Sequence, residues 1–585
     1  MIQQMRNLDL APRMLLLCVS TILLLVLGSL PHVNAGVPSE PLFFPNQIVD
    51  HLSQNNHNEY TTSTTTSNNV SEWTQRYYAS STHFSGPGSP IFVIMGGEGA
   101  IEPSMGLYYP FIVNHLAKDF GAYVIQPEHR FYGASQPIPI NEIQFTPEYA
   151  NITKRLMTTE QALWDAVRLV RHTQGVLGCA LDRDSISYCP VITVGGSYPG
   201  FLSAMMRLQH PDVVDMAYSA SAPMKFYSQE VNQTGTEYYN LITQVAEKSS
   251  LGCSGAVRFT LVDGLGPLFR DIKTMDDVHE LADMLGICPN TVPLYIANAN
   301  GDCDCDCDCN SMDVIRKLFY DELMMVVGYT FANYNMANYP PDNETTLYKA
   351  CQFFQNDELE PSDRLAQFLQ GVDADSTSTV TSCFNMTSQL PSGPNGTITA
   401  GDWSGVGTGR NGQMWDFQTC TLLVEHIGFG EQSMFPVRPW TMEWMNDHCQ
   451  TRFGVTPAPF DLVKNWKFDD LKNAGATHIL FTNGLNDGWS VGGLQHNISD
   501  TLLALNFENG AHHSDLSGVG PSNRDTDDIK KGFVQIKNIL EDWLAMVSKG
   551  GTSEPSQSQL RKRKDWLATS RRTMTRSSVT KIVKR

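Results

Sequence analysis

One serine stands in a sequence context that suits a nucleophile. The chain reads Gly195-Gly196-Ser197-Tyr198 directly after the apolar run Val191–Val194 and before an apolar helical pattern. A serine on a sharp strand-to-helix turn projects its hydroxyl above the sheet, and the turn requires small neighbours. The N-terminus of the following helix favours a developing negative charge on a reacting oxygen. Because a lone G-x-S is weak evidence, the prediction of Ser197 as nucleophile depends on this combination.

A serine nucleophile needs a histidine as general base and a carboxylate that orients it, and both follow later in the chain. Asp487 comes after the apolar run His478–Phe481, and His512 and His513 come after the run Leu502–Phe507. Both positions follow predicted strands, at the edge where catalytic groups gather in α/β sheets. Neighbouring side chains of an extended loop point in opposite directions, so we expect only one of the two histidines to act as the general base. The alternative is that the aspartate caps a turn and the histidines lie at the surface.

The neighbouring segments offer groups that could bind a substrate. We expect an oxyanion hole formed by the backbone N–H of Tyr198 and an N–H from the loop that holds Gly97 and Glu98. That loop follows the apolar run Ile91–Ile94, and its glycines allow a close approach of the backbone to the substrate. Trp489 lies two residues after the candidate aspartate, so we predict that it forms a wall of the substrate pocket. Core packing is the alternative role for this tryptophan.

The elements that must position these residues alternate between strand and helix. Short apolar runs predict buried strands at Ile91–Ile94, Ala122–Ile125, Val191–Val194 and Val214–Ser219. Thr158 opens a helical pattern in which Gln161 is placed for a capping box. The alternation resumes at His478–Phe481 and ends with an amphipathic helix whose apolar face holds Ile529, Phe533, Ile536, Leu540 and Trp543. We therefore predict an α/β-hydrolase fold with a largely parallel sheet.

The alternation stops between about residues 225 and 460, where mixed helical patterns hold most of the cysteines. A chain of 585 residues is longer than a single hydrophobic core usually accommodates, so about two domains are expected. We interpret the irregular region as a mainly helical cap inserted into the hydrolase core. The predicted organisation is a signal peptide at 1–35, a first core part at 36–224, the cap at 225–460, a second core part at 461–550 and a basic disordered tail at 551–585.

The first residues carry the pattern of a secretory signal. Arg6 and Arg13 precede the apolar run Met14–Leu30, and Val33-Asn34-Ala35 offers the small residues that signal peptidase reads. An uncleaved membrane anchor is the alternative, although the apolar run is short for a membrane span. No later segment is long and apolar enough to cross a bilayer. We therefore expect a secretory-pathway protein, secreted or lysosomal or vacuolar, without a transmembrane segment after signal removal.

Cysteines and glycosylation sequons fit that compartment. The chain has 13 cysteines, and removal of the predicted signal peptide removes Cys18. The remaining number is even, which is compatible with disulfide pairing. Sequons for N-glycosylation lie at Asn69, Asn151, Asn232, Asn343, Asn385, Asn395 and Asn497. Cysteine and aspartate alternate strictly over Cys303–Cys309, and four thiols on one face could gather soft metal ions. The repeat matches no standard ligand spacing, so we expect a surface loop, no metal site and no cofactor.

The net charge of the chain argues against one class of binding partner. The net charge is −20, which argues against nucleic acid because phosphate binding needs a basic face. The tail 551–585 is basic instead, with ten Lys or Arg and two acidic residues. Disorder is its default interpretation, and membrane binding or targeting is the alternative. The oligomeric state has no sequence signature, and a homodimer stays open.

Several motifs share a family pattern. They are Gln75–Tyr78, Gly97–Gly99, Glu128–Gly133, Thr159–Leu163, Gly195–Tyr198, Trp415 with Gln418 and Cys420, Asn483-Gly484 with Asp487 and Trp489, and Gly510–Leu516. Through most of the mature chain they resemble the serine peptidase family of lysosomal Pro-X carboxypeptidase, dipeptidyl peptidase II and thymus-specific serine protease. The resemblance implies a triad of Ser197, Asp487 and His512, a helical cap, and cleavage beside proline at peptide ends.

Three residues depart from the family pattern, namely Pro199 and Ser514, which replace a glycine and a leucine, and Gly488, which replaces a proline. Proline is tolerated in the first turn of a helix, so activity is still expected. We predict a serine exopeptidase that forms an acyl-enzyme on Ser197 and acts on proline-containing peptides, as a Pro-X carboxypeptidase or an X-Pro dipeptidyl peptidase. The alternatives are an esterase or lipase, for which no interfacial apolar lid is visible, and a catalytically silent binding protein.

Overall fold

The fold is described from a computed structural model of the chain. The described residues are 37, 39–53, 71–138, 146–231, 235–292, 312–376, 383–386, 409–516 and 520–547, and for 372–376 and 409 only the backbone is described. The predicted signal peptide, the cysteine–aspartate repeat, the basic tail and the sequons at Asn69, Asn232 and Asn395 lie outside these residues.

The core is a mixed sheet in which eight strands of the described chain are hydrogen-bonded in the order β1-β2-β4-β3-β5-β6-β7-β8. The strands are β1 (Leu42–Ile48), β2 (Glu72–Ser80), β3 (Ile91–Ile94), β4 (Tyr123–Pro127), β5 (Val191–Gly196), β6 (Met216–Ala220), β7 (Ile479–Gly484) and β8 (Leu502–Phe507). From β4 to β8 all neighbours are parallel, whereas β1 and β2 are antiparallel additions at one edge. The predicted, largely parallel sheet is confirmed.

Helices surround the sheet and fill the segment between β6 and β7. In chain order they are α1 (Ala117–Phe120), α2 (Pro147–Leu156), α3 (Thr159–Leu177), α4 (Tyr198–Gln209), α5 (Met224–Tyr227), α6 (Glu237–Ser249), α7 (Cys253–Arg258), α8 (Leu265–Asp271), α9 (Met275–Met284), α10 (Met312–Met336), α11 (Thr346–Phe354), α12 (Pro361–Ser376), α13 (Gly409–Thr419), α14 (Met442–Phe453), α15 (Asp461–Trp466) and α16 (Asp527–Val547). None of the helices in the described ranges has the length and apolar composition needed to cross a membrane.

The central strands are apolar on both faces because helices cover both sides of the sheet. In β3, Ile91 and Val93 join the same core cluster as residues of α3 and α4. The alternate residues Phe92 and Ile94 join a second cluster together with the predicted apolar face of α16. The alternation of side chains along β3 therefore builds two cores, one on each face of the sheet.

The start of α3 follows the sequence rule for helix N-termini. The hydroxyl of Thr158 accepts a hydrogen bond from the backbone N–H of Gln161 at 3.2 Å, which satisfies one of the free donors of the first turn. The helix ends at Gly178, whose φ of 72° is left-handed and favours glycine. The predicted helix start is confirmed, but the capping box is not formed. The Gln161 side chain instead accepts the backbone N–H of His51 at 2.9 Å and donates to the Asp50 carboxylate at 2.7 Å.

Between β6 and β7 the described residues form helices and no strands. Disulfides Cys253–Cys351, Cys288–Cys383 and Cys420–Cys449 tie this region together, and Cys179–Cys189 lies in the sheet domain. The architecture is an α/β-hydrolase core with a helical cap, as predicted. The exact boundaries at residues 225 and 460 stay a prediction.

Sequence reasoning missed β1 and β2. Their burial patterns are irregular: β1, the edge strand, exposes most of its residues, and β2, between β1 and β4, has many half-buried residues. Neither segment is a continuous apolar run, so neither carries the signal that identified the central strands.

Candidate active site

Ser197 occupies the sharp turn between β5 and α4. Its φ and ψ are 65° and −133°, a strained conformation for a residue with a side chain. Its backbone N–H donates to the carbonyl of Ala220 at 2.9 Å, which holds the turn against β6. A Cβ on Gly195 would lie 2.1 Å from the Pro199 carbonyl oxygen, so only glycine fits there. The predicted strand–turn–helix context of Ser197 is present.

Asp487 and His512 are joined by a short hydrogen bond. Asp487 follows β7, His512 follows β8, and the His512 Nδ1 lies 2.7 Å from the Asp487 Oδ2. Because an ionised carboxylate only accepts hydrogen bonds, Nδ1 is the donor, and the neutral ring keeps Nε2 as an acceptor. The other carboxylate oxygen accepts the backbone N–H of Trp489 at 3.1 Å. Asp487 is fully buried, and the His512 side chain is 9% exposed.

His513 has a different environment. Its backbone φ is 37°, and residues 512–516 form turns, so the expectation of an extended loop with opposed side chains is wrong. The two imidazole rings instead lie 4.5 Å apart. The backbone N–H of His513 donates to the Ser221 Oγ at 2.9 Å, and the ring packs so closely on Gly196 that a Cβ there would lie 2.7 Å from it. Burial and the neighbouring His512 hold the pKa of His513 well below its usual value, so this ring is neutral.

A cavity of about 320 Å³ brings most of the predicted residues together. Ser197, His512, Gly97, Glu98 and Trp489 all line it. Its other lining residues are Met95, Gly99, Tyr108, Tyr109, Gly196, Pro199, Pro223, Tyr227, Met336, Trp415, Glu425 and His513. The volume is at the small end of ligand pockets, which run from about 300 to 1,000 Å³, so it suits a small ligand or a short part of a larger one.

The proline after the elbow fits because of a glycine in the opposite loop. Pro199 lies in the first turn of α4, where the missing N–H costs no helical hydrogen bond. A Cβ on Gly97 would lie only 2.6 Å from the Pro199 Cγ. The loop that supplies the predicted second oxyanion donor therefore packs directly on the proline ring.

The side chain of Tyr198 points into a buried hydrogen-bond chain. His129 donates from Nδ1 to the Arg130 carbonyl at 2.8 Å, which leaves Nε2 to accept from the Tyr198 hydroxyl at 3.1 Å. The Gln418 amide donates to the same hydroxyl at 3.2 Å and accepts from the Tyr132 hydroxyl at 2.6 Å. Burial lowers the pKa of His129 to about 4, so the ring stays neutral and can accept. The residue after the nucleophile is thus held by both core and cap.

Glu128 anchors the loop that contains Gly97 and Glu98. Its carboxylate accepts the backbone N–H of Ile101 at 2.9 Å and that of Ala134 at 3.0 Å, and it pairs with Arg76. Glu128, His129 and Gln418 belong to the motifs quoted above, but sequence reasoning assigned them no role.

Trp489 lies between the cavity and the cap. Its indole N–H donates to the Met336 sulfur at 3.3 Å, and its ring meets Tyr238 and Phe226 edge-on at 4.9 and 5.4 Å between centroids. Trp489 also lines the cavity. It therefore both packs in the core and forms part of the cavity wall.

The end of α10 contacts two loops of the site. The Met336 carbonyl accepts the backbone N–H of His512 at 3.3 Å. The Asn335 side chain bonds to the backbone on either side of Asp487. Sequence analysis singled out neither residue, because no motif links a cap helix to the strand loops.

One group of potential metal ligands lies in the cap. Asp416, Cys420 and His448 bring ligand atoms close together. Cys420 is bonded to Cys449, and the Asp416 carboxylate is paired with Arg452 and His448. A disulfide sulfur is not a thiolate ligand, so these residues form a buried ion network rather than a metal site.

Comparisons with known proteins identify relatives of this chain. The family described as serine carboxypeptidase S28 matches residues 65–533. Lysosomal Pro-X carboxypeptidase of Mus musculus is 27% identical over 505 residues, which cover 84% of this chain and 88% of that protein. Thymus-specific serine protease of Mus musculus is 27% identical over 500 residues, with 81% and 84% covered.

Among solved structures, an acylaminoacyl peptidase of Pyrococcus horikoshii aligns with 35% of this chain and 26% of its own, at 15% identity and a TM-score of 0.21. The family match, by contrast, spans most of the chain. The chain therefore belongs to the serine carboxypeptidase S28 family and is a serine-type peptidase.

Proposed function

We propose that this protein is a serine exopeptidase that cleaves peptides beside proline through an acyl-enzyme on Ser197. The observation that carries the proposal is the 2.7 Å hydrogen bond between His512 and Asp487 at the cavity that Ser197 also lines. Support for proline comes from the relatives, which include lysosomal Pro-X carboxypeptidases. Both exopeptidase types, Pro-X carboxypeptidase and X-Pro dipeptidyl peptidase, are compatible with these observations.

In the proposed reaction, the Ser197 Oγ attacks the scissile carbonyl while His512 Nε2 takes the hydroxyl proton. Asp487 keeps the ring in the correct tautomer and stabilises the imidazolium. The carbonyl oxygen becomes an oxyanion that accepts from the backbone N–H of Tyr198 and from the loop of Gly97 and Glu98. The C–N bond then breaks, and His512 gives the proton to the leaving amine. A water molecule hydrolyses the ester by the same steps.

Trp489 is proposed to hold the proline ring of the substrate. Its flat face suits a rigid apolar ring, and its edge-on contacts with Tyr238 and Phe226 fix its orientation. Replacement by alanine should reduce the preference for proline over alanine at the scissile position. If the variant loses stability but keeps the preference for proline over alanine, Trp489 serves only in packing.

We also propose that the protein enters the secretory pathway and acts outside the cell or in a lysosome or vacuole, with a cap that spans residues 225–460. The disulfides support an oxidising compartment. The sequon residues Asn151, Asn343 and Asn497 are exposed and Asn385 is half-buried, so the first three are open to glycosylation.

The proposal is tested by fluorophosphonate labelling combined with a substrate panel. Wild-type protein should be labelled on Ser197, and Ser197→Ala should be secreted but neither labelled nor active. N-blocked Pro-X peptides and free-amine X-Pro peptides then separate the two exopeptidase types. Residual activity of Ser197→Ala within about tenfold of wild type, only about 1.4 kcal/mol of barrier, would exclude this nucleophile.

A further inference from the structure

Two carboxylates line the cavity beside the candidate nucleophile. Glu98 lies in the loop after β3, and Glu425 lies in the cap after α13, so they approach from different parts of the fold. Among the described residues that line this cavity there is no lysine or arginine. The neutral His513 adds no positive charge. The wall of the cavity is therefore acidic, apart from His512 when it holds a proton.

The Glu425 carboxylate is held by a hydrogen bond from a tyrosine hydroxyl. Tyr227 donates its phenolic proton to the Glu425 Oε1 at 3.2 Å, and both residues are buried. Burial raises the pKa of Tyr227 well above its usual value, and the charges of Glu425 and Glu98 add to the rise. Tyr227 is therefore a neutral donor that keeps the Glu425 carboxylate ordered in the cavity wall.

The carboxylate of Glu98 is in an environment that disfavours its charge. Burial raises its pKa, and its own backbone and His512 only partly oppose the rise. A cation placed between Glu98 and Glu425 would stabilise the charged forms of both, since opposite charges at close range attract strongly away from bulk water. A substrate carboxylate at the same place would be repelled by the Glu425 carboxylate, and no lysine or arginine lies among the described residues of the wall.

We propose that Glu425, assisted by Glu98, binds a positively charged group of the substrate next to the residue that acylates Ser197. This inference deepens the proposed function and rests on it for the identity of the nucleophile. The ligand is an ammonium or guanidinium group. Its two sources are the free amino terminus of a peptide and the side chain of a lysine or arginine. The cavity is small, so the charge lies within one or two residues of the cleaved bond.

The test compares matched substrates that differ only in charge. Coumarin amides with the sequences H-Ala-Pro, acetyl-Ala-Pro, acetyl-Lys-Pro and acetyl-Gln-Pro share one leaving group. For each variant, the measured quantity is the ratio of kcat/KM for a charged substrate to kcat/KM for its neutral partner. Glu425→Gln should lower this ratio at least about tenfold, the loss expected for one partly buried hydrogen bond to a charge. The exposed Glu431→Gln, in the same cap segment, is the matched control and should keep the wild-type ratio.

The substrate arms identify the source of the charge. A fall of the ratio only for H-Ala-Pro against acetyl-Ala-Pro assigns the site to a free amino terminus. A fall only for acetyl-Lys-Pro against acetyl-Gln-Pro assigns it to a basic side chain. An unchanged ratio in both pairs for Glu425→Gln would overturn the proposal, even if the overall activity fell.

A second measurement keeps this inference separate from the proline preference. The rate at which Ser197 is labelled by a fluorophosphonate with an alkylammonium tail is compared with the rate for a hydroxyl-tailed analogue. The ratio should favour the cationic probe in wild type and drop at least about tenfold in Glu425→Gln. If the wild-type protein labels with this preference but cleaves no proline peptide, the proposed function fails and the cation site stands. Equal labelling by both probes in wild type would refute the cation site alone.

Discussion

The side chain of Asn335, near the end of α10, accepts a hydrogen bond from the backbone N–H of Gly488 at 2.9 Å. The same amide donates to the Asn486 carbonyl at 2.8 Å, so one cap residue holds both neighbours of Asp487. Asn335 is fully buried, and leaving two buried backbone groups unpaired is costly. The helical cap therefore helps to position the candidate catalytic carboxylate in addition to covering the cavity.

Asn335→Ala should lower kcat by roughly 10- to 100-fold, because a small misplacement of a catalytic group can cost that much. KM should change little, since Asn335 does not line the cavity. Steady-state kinetics on a proline substrate and a thermal melt measure the two effects separately. Asn333→Ala, a half-buried change on the same helix, is the matched control. A loss of thermal stability with unchanged kcat would show that Asn335 only supports the fold.

Gly488→Pro should reduce activity strongly, although the family pattern has proline at this position. Proline has no N–H to donate to Asn335, and a Cβ here would lie 2.9 Å from the Tyr238 ring. Gly488→Ala keeps the N–H and adds only the Cβ, so it should be the milder change. Equal activity of the two variants would mean that the contact with Tyr238, not the hydrogen bond, is the sensitive feature.

Pro199 and Gly97 should be energetically coupled. Gly97→Ala alone places a methyl group 2.6 Å from the Pro199 Cγ and should displace the loop of the proposed oxyanion hole. Pro199→Gly alone should be nearly neutral, because the first turn of a helix tolerates either residue. The double variant should recover much of the activity lost in Gly97→Ala. A double-mutant cycle of kcat/KM with a coupling energy below about 0.5 kcal/mol would rule out this packing relationship.

The two histidines should respond very differently to alanine. His512→Ala removes the proposed general base and should lower kcat by several orders of magnitude. His513→Ala removes a neutral ring packed on Gly196 and should act mainly through stability, with kcat within about tenfold of wild type. Both variants are assayed at saturating substrate after their secretion has been compared with wild type. A severe loss of kcat in His513→Ala alone would move the proposed role to the second histidine.

The sequence predicted those parts of the molecule that depend on local pattern. Apolar runs identified the central strands, and the elbow of Ser197 was recognisable from its neighbours. The contact of Asn335 with Gly488 joins residues 153 positions apart, so no local rule could predict it. Glu425 was missed for the same reason, since its place in the cavity depends on how the cap packs on the core. The error at His513 arose because a turn with positive φ replaces the extended loop that alternation assumes.

Acid should destabilise the protein through histidines that are buried in the neutral form. Burial lowers the pKa of His129, His210 and His426 to about 4 each. The unfolded chain protonates these rings near their ordinary value of about 6.5, so between about pH 6.5 and pH 4 it binds more protons than the folded state. Stability therefore falls as the pH drops through this window and is unaffected by these groups above it. The penalty is up to about 3 kcal/mol for a fully buried ring.

His426 offers the cleanest test of this expectation. Its ring stacks on Trp440 at 4.1 Å between centroids, and neither ring nitrogen has a hydrogen-bond partner among the described residues. His426→Phe keeps an aromatic ring that does not titrate, so it should flatten the fall in Tm between pH 6.5 and pH 4 while changing Tm at pH 7.5 little. Exposed His496→Phe is the control and should leave the pH dependence as in wild type. Parallel Tm curves for wild type and His426→Phe would show that this histidine does not contribute to acid instability.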